Sequence, residues 1–128
     1  MTFLTDHFTV EELACPCCGN AGLHPGFAES LEAVREALGA PMKINSGSRC
    51  EKHNASIGGH ARSLHMIGNT HHDCDTLAVD VHIPDSMYRR DLLQAALPLG
   101  WTAGIAKNFV HLDRRDLAGI MPCIYVYS

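Results

Sequence analysis

Histidine and aspartate occupy alternate positions in two short apolar segments of this chain. Asp80 and His82 alternate with valine and isoleucine in the first segment, and His111 and Asp113 alternate with valine and leucine in the second. Such alternation is typical of a half-buried β-strand, whose successive side chains point to opposite faces. We therefore predict two strands with an apolar face toward the core and a His/Asp face toward a cleft. Imidazole and carboxylate groups gathered in this way suit a catalytic zinc site, which takes three protein ligands.

A long region without periodicity lies between the N-terminal third of the chain and the first of these two strands. Residues 46–76 are rich in Gly, Ser, Asn and His. Long irregular loops in compact domains usually carry function. This region contains three motif-like segments, which are Ser46-Gly-Ser-Arg49, Ile57-Gly-Gly59 and Ser63-Leu-His65.

Together these segments resemble the zinc D-alanyl-D-alanine carboxypeptidase family, peptidase family M15, and in particular its short single-domain members from bacteria and phages. The resemblance extends from about Thr9 to Arg114 and is carried, in chain order, by Cys15-Pro-Cys-Cys-Gly19, Ser46-Gly-Ser-Arg49, Ile57-Gly-Gly59, Ser63-Leu-His65-Met-Ile-Gly68, Leu77-Ala-Val-Asp80 and Phe109-Val-His-Leu-Asp113. It implies the hedgehog/DD-peptidase fold and a Zn²⁺ cofactor.

The resemblance also implies individual roles. His65, Asp80 and His111 would be the zinc ligands. Zinc held in this way lowers the pKa of a bound water to roughly 7. Arg49 would hold a substrate carboxylate or stabilise the oxyanion, because a guanidinium is always charged and offers paired donors. Ser63 would anchor the loop that directs His65.

One departure from the family pattern is an insertion, Asn69–Thr76, after Gly68. It contains His71 and His72, but neither has the Ser before it or the Asp after it that the motif requires, so His65 is the better ligand. The insertion is rich in metal-seeking side chains. It is therefore either a solvated surface excursion, part of the active-site lining, or the holder of a second metal.

A second departure concerns the general base. Several branches of the wider family have an acidic residue three positions before the last zinc-binding histidine, where this chain has Asn108. Asp113, on the same strand face as His111, is the candidate for the base or for orienting the water, and it could equally support a zinc ligand. His82 is a weaker candidate for proton transfer.

Further elements must position these groups. A capping box, Thr9-Val-Glu-Glu12, predicts a helix start, and the periodicity predicts helices over Pro25–Leu38 and about Met87–Leu97. Strands are predicted at Pro41–Asn45, Leu77–Ile83, Trp101–Ile105, Phe109–Asp113 and Ile120–Tyr127. Because most strands come late and in succession, we expect an α+β fold with a small antiparallel sheet flanked by helices.

Composition limits the classes of function. The 128 residues fit a single domain over residues 1–128, here a zinc peptidase domain. A net charge of -4 without a Lys/Arg cluster argues against nucleic acid as a partner. No apolar stretch reaches the ~20 residues of a membrane span, and the N-terminus lacks the features of a signal peptide. We expect a monomer made in the cytoplasm, which acts on the cell wall if it is released, as in phage or prophage lysis or from a phage tail.

The six cysteines lie at 15, 17, 18, 50, 74 and 123. Cys15, Cys17 and Cys18 are too close in sequence to pair comfortably with one another. In a reducing compartment such cysteines are free thiols or metal ligands more often than disulfides. Both a structural second metal and simple thiols stay open.

The leading functional hypothesis is zinc-dependent hydrolysis of a peptide bond in peptidoglycan stem peptides. The enzyme would be a metallopeptidase of the carboxypeptidase or the endopeptidase (endolysin) kind. The alternative is a non-catalytic, zinc-bearing binding module of the same fold, as the hedgehog signalling domain implies, and Asn108 favours it. A redox or metal-sensing role for the cysteine-rich N-terminus is a third possibility.

Overall fold

The computed structural model describes residues 1–128 and has an α+β architecture built on a five-stranded sheet. The predicted fold class is therefore confirmed. Two short 3₁₀ helices lie at Leu97–Leu99 and Arg115–Ala118. The main elements are α1 Val10–Leu13, α2 Phe27–Leu38, β1 Ile44–Ser46, α3 Glu51–Ser56, β2 Ala78–His82, α4 Ser86–Ala96, β3 Thr102–Ile105, β4 Phe109–Asp113 and β5 Ile124–Val126.

The sheet has the order β1-β2-β4-β3-β5, with β2 and β4 paired antiparallel near its centre. The prediction of an antiparallel sheet is wrong at one edge, where β5 runs parallel to β3. β4 ends beside the start of β3. From there the chain crosses the start of β3 and forms β5 on the other side of that strand. A strand placed there runs antiparallel to β4 and hence parallel to β3. The sheet is therefore mixed.

One hydrophobic core of 19 buried residues joins the helices to the sheet. The aromatic rings of Phe27 in α2 and Trp101 before β3 lie 5.6 Å apart between centroids. Burying one such large apolar side chain contributes about 1.5–3 kcal/mol. Val79, Val81 and Leu112 belong to this core, and Asp80 and His111, at the alternate positions of β2 and β4, project from the opposite face of the sheet.

The sequence-based boundaries differ from the observed ones mainly by a few residues. The capping box of Thr9 and Glu12 is present, and Gly39 ends α2 in the left-handed conformation. The region predicted to be irregular contains the unpredicted helix α3, whose sequence, Glu51-Lys-His-Asn-Ala-Ser56, has no apolar periodicity to reveal it. None of the helices combines the length and the apolar character that a membrane crossing requires.

Candidate metal centre and its cleft

The side chains of His65, Asp80 and His111 converge on one point. Asp80 Oδ1 lies 3.2 Å from His65 Nε2 and 3.1 Å from His111 Nδ1, and the two ring nitrogens are 3.2 Å apart. All three residues are buried. Two imidazoles and a carboxylate are a donor set that zinc prefers, and these separations suit neighbouring ligands whose bonds to the ion are about 2.0–2.1 Å long. The residues present therefore fit a zinc ion.

Two of these residues are brought together by strand pairing. Asp80 in β2 and His111 in β4 are direct cross-strand partners, so their side chains project side by side on the same face. His65 comes from the loop before β2. Its backbone carbonyl accepts a hydrogen bond from Thr76 Oγ1 at 2.9 Å, and its backbone N–H donates to Ser63 Oγ at 3.2 Å. Ser63 thus lies where the resemblance implies an anchor for this loop.

Each histidine has a further partner that orients its ring. His65 Nδ1–H donates to the carbonyl of Gly47 at 2.8 Å, and His111 Nε2–H donates to Asp113 Oδ2 at 2.7 Å. These contacts assign the protons to the outer nitrogens and leave His65 Nε2 and His111 Nδ1 as acceptors. Both rings are therefore held in the tautomer that a metal ligand needs.

Asp113 lies on the side of the His111 ring opposite to Asp80. Its carboxylate also accepts hydrogen bonds from the backbone N–H and the guanidinium of Arg115, at 2.9–3.0 Å. Only 1% of Asp113 is exposed. A carboxylate engaged on both oxygens and withdrawn from solvent is poorly placed to accept a substrate proton. Of the roles that the sequence left open, the geometry favours support of His111.

The pKa shifts of His65 and Asp80 favour the forms that bind a metal, whereas the shift of His111 favours its protonated form. Burial lowers the pKa of His65, which favours the neutral imidazole. Burial alone would raise the pKa of Asp80, but the polar contacts of its carboxylate with the His111 and His65 rings outweigh burial and hold the pKa below its ordinary value. For His111, burial is outweighed by the hydrogen bond to Asp113 and by the nearby Asp80 carboxylate, which raise its pKa, so a metal must compete with a proton at this ring. The centre therefore pairs an ionised carboxylate with two imidazoles.

Arg49 lies beside this centre with only 13% of its side chain exposed. Its Nη2 donates to Asp80 Oδ2 at 3.3 Å, and its Nε donates to Ser46 Oγ at 3.1 Å. Asp80 thus has one oxygen directed at the histidines and the other at a cation. The guanidinium is held at the cleft by fixed partners, as a group that binds a substrate anion should be.

The glycines of the motifs permit close approaches of the loops. A Cβ on Gly47 would lie 2.6 Å from the carbonyl oxygen of Leu13, which also accepts the Ser48 N–H. A Cβ on Gly59 would lie 2.1 Å from Asn54 Oδ1. A side chain at position 47 would push this loop away from Leu13 and move the carbonyl that orients His65, and one at position 59 would displace Asn54.

The metal centre lies in an open cleft of about 500 Å³. Tyr125 of β5 and Tyr127 just after it line the cleft, and Tyr125 lies 6.1 Å from His111 between ring centroids. Burial raises the pKa of both Tyr125 and Tyr127, so their hydroxyl groups stay protonated and can donate hydrogen bonds. The other lining groups include Gly58, Gly59, His60, Arg62, Ser63, Phe109, Arg115 and Ile120.

The fold places some of the remaining candidate residues in the cleft and others outside it. His72 from the insertion lines the cleft, whereas His71 and His82 do not. Asn108 is exposed in the turn between β3 and β4, also outside the cleft. The insertion closes on itself through a bridge between Asn69 and Cys74, and it does not bring three metal-binding side chains together. Its contribution to the cleft is His72.

Sequence reasoning missed Tyr125, Tyr127, His60 and Arg115 as parts of the site. The alternation of the two tyrosines in the final strand was a usable signal, because it places both on one face. The position of that face over the cleft depends on β5 lying next to β3, which no local pattern indicates.

Comparison with known proteins agrees with this geometry. No curated protein and no solved structure matches the chain. The family model described as peptidase M15 matches residues 6–113, a range that includes all three residues of the metal centre. The chain therefore belongs to the peptidase M15 family.

Proposed function

We propose that the protein is a zinc-dependent peptidase that hydrolyses a peptide bond in peptidoglycan stem peptides. The observation that carries the proposal is the convergence of His65, Asp80 and His111 in an open cleft of a peptidase M15 chain. Zinc bound there would polarise the scissile carbonyl and activate a water. The remaining roles belong to the side chains that surround it.

Arg49 would stabilise the negative charge that develops on the oxygen of the scissile carbonyl. Its guanidinium is anchored by Ser46 and Asp80 and lines the cleft. A preorganised cation in a partly buried site stabilises an oxyanion without reorganisation. The same group would hold the free carboxylate of a substrate that is cut by a carboxypeptidase.

The proton acceptor that we propose is an imidazole of the cleft wall. Asp113 is fully engaged by His111 and Arg115, and Asn108 lies outside the cleft. His60 and His72 both line the cleft, and a neutral imidazole can take up a proton. Alanine at each position, with metal content unchanged, would identify the acceptor by the larger loss of kcat.

The charge of the cleft supports an anionic peptide as substrate. Three arginines line it, Arg49, Arg62 and Arg115, against two carboxylates, Asp80 and Asp113. Arg49 is paired with Asp80 and Arg115 with Asp113, so the excess positive charge comes from Arg62 and from any bound zinc. Stem peptides carry carboxylates and so complement this lining. Action on the cell wall after release, in phage or prophage lysis or from a phage tail, follows from such a substrate and is part of the proposal.

The test is incubation of the zinc-loaded chain with purified cell walls, followed by mass spectrometry of the soluble products. Release of terminal D-alanine would identify a carboxypeptidase, and release of stem or cross-bridge fragments would identify an endopeptidase. A chelator-treated sample and the His111→Ala variant serve as controls. A folded, zinc-loaded chain that releases nothing would contradict the proposal.

The alternative is a zinc-bearing binding module without catalysis. The observation in its favour is that no free carboxylate faces the cleft to act as a base. Such a module would co-sediment with cell walls in a zinc-dependent manner and release no product. The two assays together separate the hypotheses.

A further inference from the structure

A second cluster of metal-binding side chains lies away from the cleft. The Sγ atoms of Cys15, Cys18 and Cys50 all lie within 4.8 Å of one another. A tight turn brings the first two together: the Gly19 N–H donates to the Cys15 carbonyl at 2.8 Å, and Gly19 has a left-handed φ of 76°. Cys50 approaches from the start of α3, 35 positions along the chain.

The cluster is built to hold a thiolate. The backbone N–H of Cys50 donates to Cys15 Sγ at 3.3 Å. Cys15 is fully buried, so this backbone donor is a fixed partner for its sulfur. The Sγ of Cys50 itself accepts a hydrogen bond from the His53 N–H at 3.4 Å. These donors stabilise negative charge on sulfur.

Neighbouring thiolates repel one another unless a cation lies between them. A disulfide could join only two of the three sulfurs and would leave one beside it, and all six cysteines are free in the structure. Cys17 is a further, exposed thiol in the same turn, although its sulfur is not among the three that lie within 4.8 Å of one another. Four sulfur donors are the ligand set of a closed, tetrahedral zinc site.

We propose that Cys15, Cys18 and Cys50 bind a structural zinc ion, with Cys17 as the fourth ligand. The site joins the N-terminal turn to the segment that follows Arg49. Because Gly47, whose carbonyl orients His65, lies three positions before Cys50 in the same loop, the thiolate site fastens the loop that supports the cleft. This inference rests on the cysteine geometry and is independent of the peptidase activity.

The decisive experiment replaces zinc by Co²⁺ in the reduced protein, with all six thiols verified beforehand. Thiolate ligands give an intense charge-transfer band in the near ultraviolet, which the sulfur-free His65/Asp80/His111 centre cannot produce. We expect the band together with two cobalt ions per chain. The double variant His65→Ala/His111→Ala should keep the band and one cobalt ion.

Variants assign the ligands. Cys18→Ser and Cys50→Ser should each lose most of the band and about one equivalent of metal. Cys123→Ser is the matched control, because Cys123 is an exposed cysteine outside the cluster, and it should behave as the wild type. A weakened, shifted band in Cys17→Ser would support the fourth ligand, and an unchanged band would overturn that assignment.

The proposal is overturned if the reduced wild-type protein binds one cobalt ion or none and shows no charge-transfer band. A band that persists in both Cys18→Ser and Cys50→Ser would also overturn it. The wild-type spectrum decides the matter even if a variant fails to fold.

Discussion

The two clusters of metal-binding side chains are supported in different ways. In the cleft, Asp80 and His111 are cross-strand partners in the sheet, and the histidines have buried orienting contacts. In the cysteine cluster, all the donors lie in turns or at a helix start, and Cys18 is exposed. The first site is therefore preorganised by the fold. The second would itself organise the chain, so its metal should matter for stability more than for chemistry.

The largest expected effect is on the cleft side of this comparison. His111→Ala removes a proposed ligand carried by the sheet, so one metal equivalent should be lost and the proposed cell-wall hydrolysis should fall to the level of a chelated sample. The thiolate-to-cobalt band should be unchanged. Metal analysis and product release measure both. Loss of that band would show that the two sites are not independent.

Arg49→Gln tests the charge beside the centre. If Arg49 stabilises the oxyanion, kcat should fall about 10²–10³-fold while the metal is retained. Arg62→Gln is the matched control, because Arg62 also lines the cleft but is exposed, and we expect a smaller change. A drop in metal affinity instead would mean that Arg49 mainly positions Asp80, which accepts its hydrogen bond.

The Asp113→Asn variant tests whether Asp113 positions His111 or acts as the general base. An orienting partner of a ligand histidine typically contributes 10–100-fold in metal affinity or activity. We expect zinc affinity to fall by about that factor, and activity to recover largely at saturating zinc. Zinc titrations with parallel rate measurements provide the test. A low kcat that no zinc concentration rescues would restore the assignment of Asp113 as general base.

Loss of the cysteine site should lower thermal stability more than it lowers activity, which is the reverse of what we expect for the cleft site. At free zinc a hundred times its Kd, binding to the folded state alone adds about 2.7 kcal/mol. Cys50→Ser should lose this zinc-dependent stabilisation of the cysteine cluster, whereas Cys123→Ser should keep it. Thermal denaturation with and without zinc, in the His111→Ala background, isolates the cysteine site. Equal zinc-dependent shifts of Tm in the two cysteine variants would contradict the comparison.

The smallest effect is expected at the tyrosine wall of the cleft. A Cβ on Gly104 would lie 2.5 Å from the Cζ atom of Tyr125, so Gly104→Ala must displace that ring. Overpacking of this kind costs typically about 1–3 kcal/mol. Because β5 is an edge strand, we expect the ring to move outward, KM to rise severalfold and bound metal to be unchanged. Equal KM values for variant and wild type would remove Tyr125 from the substrate site.

The elements whose residues show a local pattern were predictable. Alternation over β2 and β4 placed Asp80 and His111 on a polar face, and the helical period with Gly39 defined α2. These features follow from repeats of two and 3.6 residues, which depend on neighbours in the sequence. The helix α3 carries no such pattern and was missed.

The sequence by itself determined the donor types of the cleft and the strands that carry two of them. Only the tertiary structure decided which distant groups meet: Cys50 with Cys15, and Tyr125 with His111. It also decided that His82 and Asn108 lie outside the cleft. The physical reason is that a strand's period sets which face a side chain occupies. The element that covers that face is set by sheet order and loop paths, which are settled by packing over the whole chain.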